Sequence, residues 1–592
     1  MTATSFLKKL RSNNYRLLGL VGQGQFGQVY CAIHRKTGRL VALKNLNRDR
    51  FPTHRFLREL RFLLSLDHPH IANCLALEQS AYGRQLVLDY CEGGTLRDLL
   101  EQETPLTLAE ILTLVTEVLE ALEHAQHKSI VHCDIKPENI LLTLTPEGWR
   151  AKVSDFGIAR LSQELSHDQT GATGSPAYMA PERFYHQNSA SSDLYAMGVV
   201  LYEMLLGDRP FSGNYQQLMV AHLNQALKLP DTVPAGIRPI LARSLAKLMG
   251  QRFRSAAEMK AAIVAARKTL TASELRDRFP QPLAAIPTCT FAPTATLPLD
   301  GPCTALGLLA AEEPPLLVAA ADTYLAKWAV PPTIPLGAPP TWRWPLATPV
   351  QQIVNTAQGA IAVGERHLYH LTANQPPQAI ATFDVPIRLV PGGQRWLMVQ
   401  SQTQPHQFWL MDTLKAVPPS PRSLPLLPVE GHCLSHLLGD RFLLLAAVRE
   451  SVTHLHILTR WGKRCGQLTL QTPLHQLFPS AQKPYSFLAQ AGTHQQDLLV
   501  VQLKPYRVMR CRLDITVDWV GELALGFVVV SAKGQMRLIN FYGQMIGKVE
   551  GLPPPSAIAF QPPYHIWLAT PGNGQAQIHP IDIRNLDLDI VF

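Results

Sequence analysis

Apolar and polar positions follow different rules in the two halves of the chain. In the first half, Gln28-Val29-Tyr30-Cys31-Ala32-Ile33 alternates with period two and is rich in β-formers. It is followed by the turn signal Lys36-Thr37-Gly38 and by Val41-Ala42-Leu43-Lys44. This pattern predicts a hairpin whose second strand ends in a lysine. Phe56, Leu60, Leu63 and Leu64 then recur at helical spacing behind Thr53, a good N-cap residue. They predict a helix on which Glu59 lies off the apolar stripe.

Beyond residue 302 the helical period largely disappears. Short apolar runs take over: Leu316-Leu317-Val318, Ile361-Ala362-Val363, Leu397-Met398-Val399, Leu443-Leu444-Leu445, Leu498-Leu499-Val500-Val501, Phe527-Val528-Val529-Val530 and Ile566-Trp567-Leu568. They recur about every 42 residues, and several are followed by a second β-prone segment such as His367-Leu368-Tyr369-His370-Leu371 or His454-Leu455-His456-Ile457-Leu458. A repeat of this length, with one small antiparallel sheet per unit, predicts a seven-bladed β-propeller over 303–592. The Gly-His and Trp-Asp signatures of many propellers are missing, and a β-sandwich or two smaller β domains are the alternatives. His432, His436, His454 and His456 are scattered along expected strands and read as packing or solvent-facing residues, not metal ligands.

Between the halves, Pro280, Pro282, Pro287, Pro293, Pro298 and Pro302 mark an extended, partly stiff linker. The expected division is an N-terminal extension 1–14, a first domain 15–268, a linker 269–302 and a β domain 303–592. A chain of 592 residues exceeds what one core usually organises, in keeping with two domains.

The candidate chemistry lies in the first half. His132-Cys133-Asp134-Ile135-Lys136-Pro137-Glu138-Asn139, with Asp155-Phe156-Gly157 after it, supplies a carboxylate base, a cation and two hard-oxygen ligands for magnesium, the parts that phosphoryl transfer requires. Upstream, Gly22-Gln23-Gly24-Gln25-Phe26-Gly27-Gln28-Val29 is a glycine-rich turn able to bring backbone amides close to phosphates. A glycine triplet alone is weak evidence, because dinucleotide-binding folds carry it too. There it opens a helix, whereas here it opens a hairpin.

Together these residues resemble the eukaryotic-type (Hanks) serine/threonine protein kinase family, in a bacterial-like form, over roughly Tyr15 to Lys268. The resemblance implies an α+β, two-lobed fold with an N-lobe at 15–91 and a C-lobe at 92–268. It implies ATP and Mg2+ as cofactors and protein serine or threonine as acceptor. Asp134 and Lys136 are the catalytic pair it points to, with Asn139 and Asp155 as metal ligands. Nucleotide contacts fall to Val21, Gly22, Gly24, Gly27, Val29, Ala42, Lys44, Leu88, Asp89 and Cys91. Lys44 is expected to pair with Glu59, Leu88 to be the gatekeeper, and the backbone of Asp89 and Cys91 to meet adenine. Lys136, two residues after Asp134, and Gly174-Ser175-Pro176 favour serine/threonine over tyrosine. Glu182 and Arg252 are expected to form a structural ion pair.

One departure bears on regulation. Relatives switched on by loop phosphorylation carry arginine immediately before the catalytic aspartate, and Cys133 stands there instead. A phosphate on Thr170 or Thr173 would lack a main partner, so weak dependence on loop phosphorylation is expected. Cys133 itself reads as a buried structural cysteine rather than a redox switch.

Charge and cysteine usage exclude other classes. The net charge of +9 is thinly spread: residues 303–592 hold 21 Lys plus Arg against 17 Asp plus Glu, and the first 302 hold 33 against 28. There is no run of like charge to suggest nucleic acid. Nine cysteines without a C-x-x-C pair fit a reducing compartment. The N-terminus lacks the apolar core of a secretory signal, and no stretch approaches the roughly 20 apolar residues needed for a span, so a cytoplasmic protein is expected. The β domain is expected to serve regulation or protein interaction. The rival reading is a catalytically silent kinase-like scaffold, which usually lacks one of the residues found here as Lys44, Asp134 and Asp155.

Overall fold

A computed structural model describes residues 14–24, 27–46, 64–80, 83–101, 105–156, 175–280, 287–291, 296–309, 316–321, 324–329, 340–346, 348–356, 359–373, 375–390, 395–413, 422–424, 432–439, 441–478, 485–492, 496–541, 543–572 and 575–586. The chain divides into two compact units, Met1–Ala284 with Leu503–Val508, and Ala285–Gln502 with Met509–Phe592.

The first unit opens with an antiparallel sheet of β1 (Tyr15–Gly24), β2 (Gly27–His34), β3 (Leu40–Leu46), β4 (Cys74–Ser80) and β5 (Gly83–Asp89), in the order β1-β2-β3-β5-β4. The alternation read in the sequence sorts its two faces. Tyr30, Ala32, Val41 and Leu43 join Tyr15 and Val87 in one buried cluster. Val29, Ala42 and Lys44 share a cavity on the other face. The turn from β1 to β2 closes with Gly24 opposite Gly27, whose φ of 137° is open to glycine and strained for other residues.

The helical part follows: α1 (Leu96–Glu101), β6 (Leu106–Thr107), α2 (Leu108–His127), the hairpin β7 (Ile140–Thr145) and β8 (Gly148–Val153), α3 (Ala190–Leu206), α4 (Tyr215–Asn224), α5 (Arg238–Ser244) and α6 (Ala256–Thr269). A capping box starts α2, with Glu110 N–H donating to Thr107 Oγ1 at 3.2 Å and Thr107 N–H to Glu110 Oε2 at 2.9 Å. Ile111, Leu112, Val115, Leu119 and Leu122 are buried along it, each contributing roughly 1.5–3 kcal/mol relative to exposure. Every residue of α3 from Ser192 to Leu205 is buried, as expected of a largely apolar helix at the centre of a lobe. At Gly198 a Cβ would come within 2.4 Å of Ser244 Oγ, so glycine sets how closely α5 approaches α3.

Part of the proline-rich stretch is sheet and not free linker. Arg278–Phe279 forms β9 against β6, and 297–300 pairs with the strand Gln575–Asp582. Proline is compatible with such short edge pairings.

Among the described residues, the second unit shows seven separate sheets. Five are four-stranded antiparallel meanders spanning 303–345, 350–382, 387–423, 432–470 and 474–512. The sixth, 519–550, takes a fifth strand from Thr288–Thr290, and the seventh combines 557–582 with Leu297–Asp300. All seven apolar runs of the sequence fall on inner strands, paired on both sides, such as Leu316–Ala321, Phe442–Arg449 and Gly526–Val530. A strand covered on both faces reads as a continuous apolar run, which is why these strands were the legible ones. Cys303–Leu309 packs beside Val350–Thr356 on one side and Ala557–Gln561 on the other. Of the four histidines singled out above, His436 is buried, and burial lowers its pKa to about 4. Among the described residues, no helix is long and apolar enough to cross a membrane.

Candidate active site

A cavity of about 400 Å³ lies between the five-stranded sheet and the helical part of the first unit. Val21, Gly22 and Val29 line it from β1 and β2, Ala42 and Lys44 from β3, and Leu88, Asp89 and Cys91 from the end of β5 and the residue pair beyond it. Asp155 and Phe156 line it from the segment after β8. Stretches more than 100 residues apart in sequence therefore meet in one cleft.

Lys44 is buried, and its Nζ lies 2.6 Å from Asp155 Oδ1. Asp155 has φ of 62°, a left-handed conformation that non-glycine residues hold at a cost of about 1–3 kcal/mol, met when the surroundings fix it. Asp134, Lys136 and Asn139 form a second group. Lys136 Nζ is 2.8 Å from Asp134 Oδ2, and Asn139 Nδ2 donates to the same oxygen at 3.0 Å and to the Asp134 carbonyl at 2.7 Å. The 3-10 turn Pro137–Asn139, begun by a proline at its first position, brings Asn139 back under Asp134. Ser154 N–H donates to the Asn139 carbonyl at 2.8 Å, tying this turn to the residue before Asp155.

The support beneath these groups was not legible in the sequence. Asp193, in the first turn of α3 and buried, accepts from the backbone N–H of His132 at 2.7 Å and of Cys133 at 2.9 Å. Burial raises the Asp193 carboxyl, and those amides together with the charge of Arg183 oppose the rise. Cys133 is held at φ of 68°, so Asp193 stabilises a strained backbone one residue before Asp134. Asp134 N–H donates to His132 Nδ1 at 3.2 Å, so His132 carries its proton on Nε2, 2.8 Å from the Ser154 carbonyl. The His132 ring also meets Phe156 edge-on at 4.6 Å. No spacing rule links position 193 to position 132, so only the folded chain reveals this contact.

Val21, Gly22, Val29, Ala42, Lys44, Leu88, Asp89, Cys91 and Asp155 meet around the cavity, and Asp134, Lys136 and Asn139 form one cluster. Gly24 and Gly27 close the β1–β2 turn. Glu59, Gly157, Thr170, Thr173 and Gly174 lie outside the described residues. The Asp89 side chain is engaged elsewhere, 2.8 Å from Arg39 and 3.2 Å from Lys152. Burial pushes the Cys91 thiol well above its ordinary range. Cys133 is buried. Gly93 leaves no room for a side chain: a Cβ there would lie 2.5 Å from Trp149 and 2.9 Å from the Leu142 carbonyl.

Away from the cleft, Glu182 and Arg252 make a two-pronged ion pair, with Nη1 2.8 Å from Oε1 and Nη2 2.9 Å from Oε2. Ser192 Oγ donates to Glu182 Oε1 at 2.7 Å. Burial opposes ionisation of Glu182, but Arg252 and Ser192 outweigh it and hold the carboxyl below its ordinary range.

This geometry has known counterparts. Residues 15–261 match the family model described as Protein kinase domain. The first half of the chain is a protein kinase domain. Among curated proteins it is similar to Serine/threonine-protein kinase RUNKEL of Arabidopsis thaliana, 35% identical over 246 residues, covering 41% of this chain and 18% of that protein. It is also similar to Probable serine/threonine-protein kinase PknB of Lactococcus lactis, 31% identical over 263 residues, or 42% of each chain. Serine/threonine-protein kinase D2 of Rattus norvegicus is 40% identical over 199 residues, 33% of this chain and 22% of that protein. The chain thus spans less than half the length of these relatives.

Proposed function

We propose that this chain is an ATP-dependent protein serine/threonine kinase. The observation that carries the reading is the pairing of Lys44 with Asp155 in the cleft, beside a cluster of Asp134, Lys136 and Asn139 that the Ser154–Asn139 backbone hydrogen bond ties to the residue before Asp155. The donor set fits magnesium, which prefers a few hard oxygens and completes its shell with phosphate and water. Asn139 turns its amide nitrogen to Asp134, which leaves its carbonyl oxygen for a ligand, and Asp155 offers the carboxylate. When bound, the metal would supply charge neutralisation on the phosphates.

The chain's own residues do the rest. Val21, Val29, Ala42 and Leu88 give the adenine an apolar enclosure, and the backbone of Asp89 and Cys91 provides its hydrogen bonds. The Gly22-to-Gly27 turn lets amides approach the phosphates. Lys44, already fixed in a buried position, binds phosphate oxygens while Asp155 and Glu59 orient it. Asp134 accepts or orients the proton of the acceptor hydroxyl. Lys136, 2.8 Å from that carboxylate, offsets charge at the transferring phosphate. Cys133 in place of arginine supports weak dependence on phosphorylation of Thr170 or Thr173. Alanine at either position is expected to leave turnover within about threefold, a small change in barrier.

The domain boundaries we propose are 15–268 for the kinase domain and 303–592, joined by the strands Thr288–Thr290 and Leu297–Asp300, for a seven-bladed β-propeller. Seven small sheets support the propeller, as do the pairing of 297–300 with 575–578 and the packing of Cys303–Leu309 between the strands of two other sheets. Its role is regulation or protein binding, a reading that rests on fold analogy, and cysteine usage without a C-x-x-C pair supports a place in the cytoplasm.

The test is incubation of the full chain with γ-labelled ATP, magnesium and a mixed protein substrate, beside Lys44→Met and Asp155→Ala. Label on serine and threonine that both variants abolish is the expected result. Absence of label under every metal condition would leave the silent scaffold as the better reading.

A further inference from the structure

The first turn of α1 directs Arg97 into a cluster with Glu138, Glu203 and Tyr178. Arg97 Nε donates to Glu138 Oε1 at 3.0 Å, Nη1 to Glu203 Oε1 at 3.0 Å, and Nη2 to Glu203 Oε2 at 3.4 Å and to the Tyr178 hydroxyl. Tyr178 in turn donates to Glu203 Oε2 at 2.6 Å. Four of the guanidinium's five N–H groups thus have partners in this one cluster. The Glu203 side chain is 6% exposed and that of Arg97 21%, whereas that of Glu138 is 45% exposed. Burial opposes the charge on Arg97, but the hydrogen bonds to Glu203 and the charges around it hold the guanidinium firmly protonated. The same surroundings, burial first and then Glu203, raise the Tyr178 hydroxyl.

The position of this cluster gives it meaning. Arg97 and Glu138 line the cavity that also holds Lys44 and Asp155. Glu138 immediately precedes Asn139, whose amide grips Asp134. Tyr178 stands three residues after Ser175. A peptide presenting its hydroxyl to Asp134 carries side chains about 7–10 Å to either side, two or three residues along an extended strand. Because Glu138 adjoins Asn139, which holds Asp134, we place the residues that flank an acceptor serine or threonine on the side of the cleft that carries this cluster.

Two carboxylates and a phenol at the edge of a cleft form a receptor for a guanidinium. Here the guanidinium is the chain's own. We propose that Arg97 determines acceptor-sequence preference: it occupies the acidic site that a basic flanking residue would enter, so the kinase does not select arginine beside its acceptor. Glu138 by itself suggests attraction of a basic side chain, but its charge is already matched at 3.0 Å, and an additional rim contact to it adds little. Without Arg97, an arginine two or three residues from the acceptor could make the same hydrogen bonds. This inference rests on the kinase reading and names the substrate class that the reading leaves open.

The experiment compares two peptides that differ only in carrying arginine or glutamine flanking one serine, using the full chain, Arg97→Ala and Arg97→Lys. Both kcat/KM and peptide affinity by fluorescence anisotropy are measured. The wild-type chain is expected to treat the peptides within about threefold, and Arg97→Ala to favour the arginine peptide by about tenfold or more through KM, the factor expected for charge-assisted hydrogen bonds. Guanidinium ion at millimolar concentration is expected to erase that gain, and Arg97→Lys to retain the wild-type ratio. A purely structural role would lower turnover on both peptides alike. An arginine preference of tenfold in the wild type, or an unchanged ratio in folded Arg97→Ala, would overturn the proposal. If Arg97→Ala does not fold, Glu138→Gln decides: a ratio within threefold of wild type supports the proposal, and a fall in preference for arginine sinks it. The anisotropy readout separates this inference from the kinase reading. Tighter arginine-peptide binding by Arg97→Ala without turnover in any protein would uphold the receptor and overturn the enzyme.

Discussion

Lys44 Nζ and Asp155 Oδ1 stand 2.6 Å apart, joining the third strand of the N-terminal sheet to the second residue beyond β8. The lysine side chain is 6% exposed, so its charge is desolvated and depends on nearby anions. A triphosphate entering the cleft brings such anions, and the ammonium is already in place to meet them.

Lys44→Met therefore removes a positioned cation from the phosphate site. Phosphoryl transfer is expected to fall by about 100-fold or more, the effect of losing one positioned electrostatic group. Label incorporation with and without the substitution measures this, alongside a thermal melt to verify folding. Turnover within threefold of wild type would show that Lys44 does not act on the phosphates.

Glu182 and Arg252 are both buried, and removing one partner leaves the other as an unpaired charge. Glu182→Gln or Arg252→Met is expected to cost about 3–5 kcal/mol, read as a lowered urea midpoint. Replacing both together with apolar residues should recover much of the loss, because the pair's own desolvation is then removed as well. A single substitution costing under about 1 kcal/mol would mean that the pair is not a stability determinant.

His222 is fully buried and bonds Tyr195 Oη at 2.8 Å through Nδ1. Burial lowers its pKa from 6.5 to about 4, helped by the charge of Lys247. The unfolded chain takes up a proton near pH 6.5, and the folded chain only near pH 4. Its contribution is therefore fully present above pH 6.5 and is lost progressively as pH falls toward 4, by roughly 3 kcal/mol in total. Urea midpoints measured between pH 7 and pH 4.5 should show this slope, and His222→Phe should flatten it. An equal slope in the variant would place the titration elsewhere.

Leu299 is buried among Trp567, Ala576 and Ile578, on the short strand that pairs with Gln575–Asp582. Leu299→Asp places a charge in that apolar cluster and is expected to destabilise the second unit by more than about 3 kcal/mol. Hydrogen exchange of residues 565–582 should accelerate. Unchanged protection there would mean that this pairing does not hold the seventh sheet.

Much of this was legible in the chain itself, for identifiable reasons. The glycine turn, Lys44, the 132–139 stretch and Asp155 carry residue types that the chemistry demands at short, fixed spacings. One inner strand in each of the seven sheets announced itself because a strand covered on both faces must be apolar throughout. The outer strands, including Trp342–Pro345 and Arg422–Ser423, are largely exposed and carry no such pattern. Thr288–Thr290 and Leu297–Asp300 read as linker because what makes them strands is their partners, more than 240 residues away.

The phosphoryl-transfer residues and the β character of the second half could be read along the chain, since both depend on local composition and short-range order. Apart from the Glu182–Arg252 pair, which the family resemblance implied, the facing of charges emerged only on folding. The tertiary structure gave Asp193 to the backbone of His132 and Cys133, and it filled the acidic pair of Glu138 and Glu203 with Arg97. Such pairings join residues 40 to 110 positions apart, and Coulombic and hydrogen-bond energies act across space, so no periodicity along the chain records them.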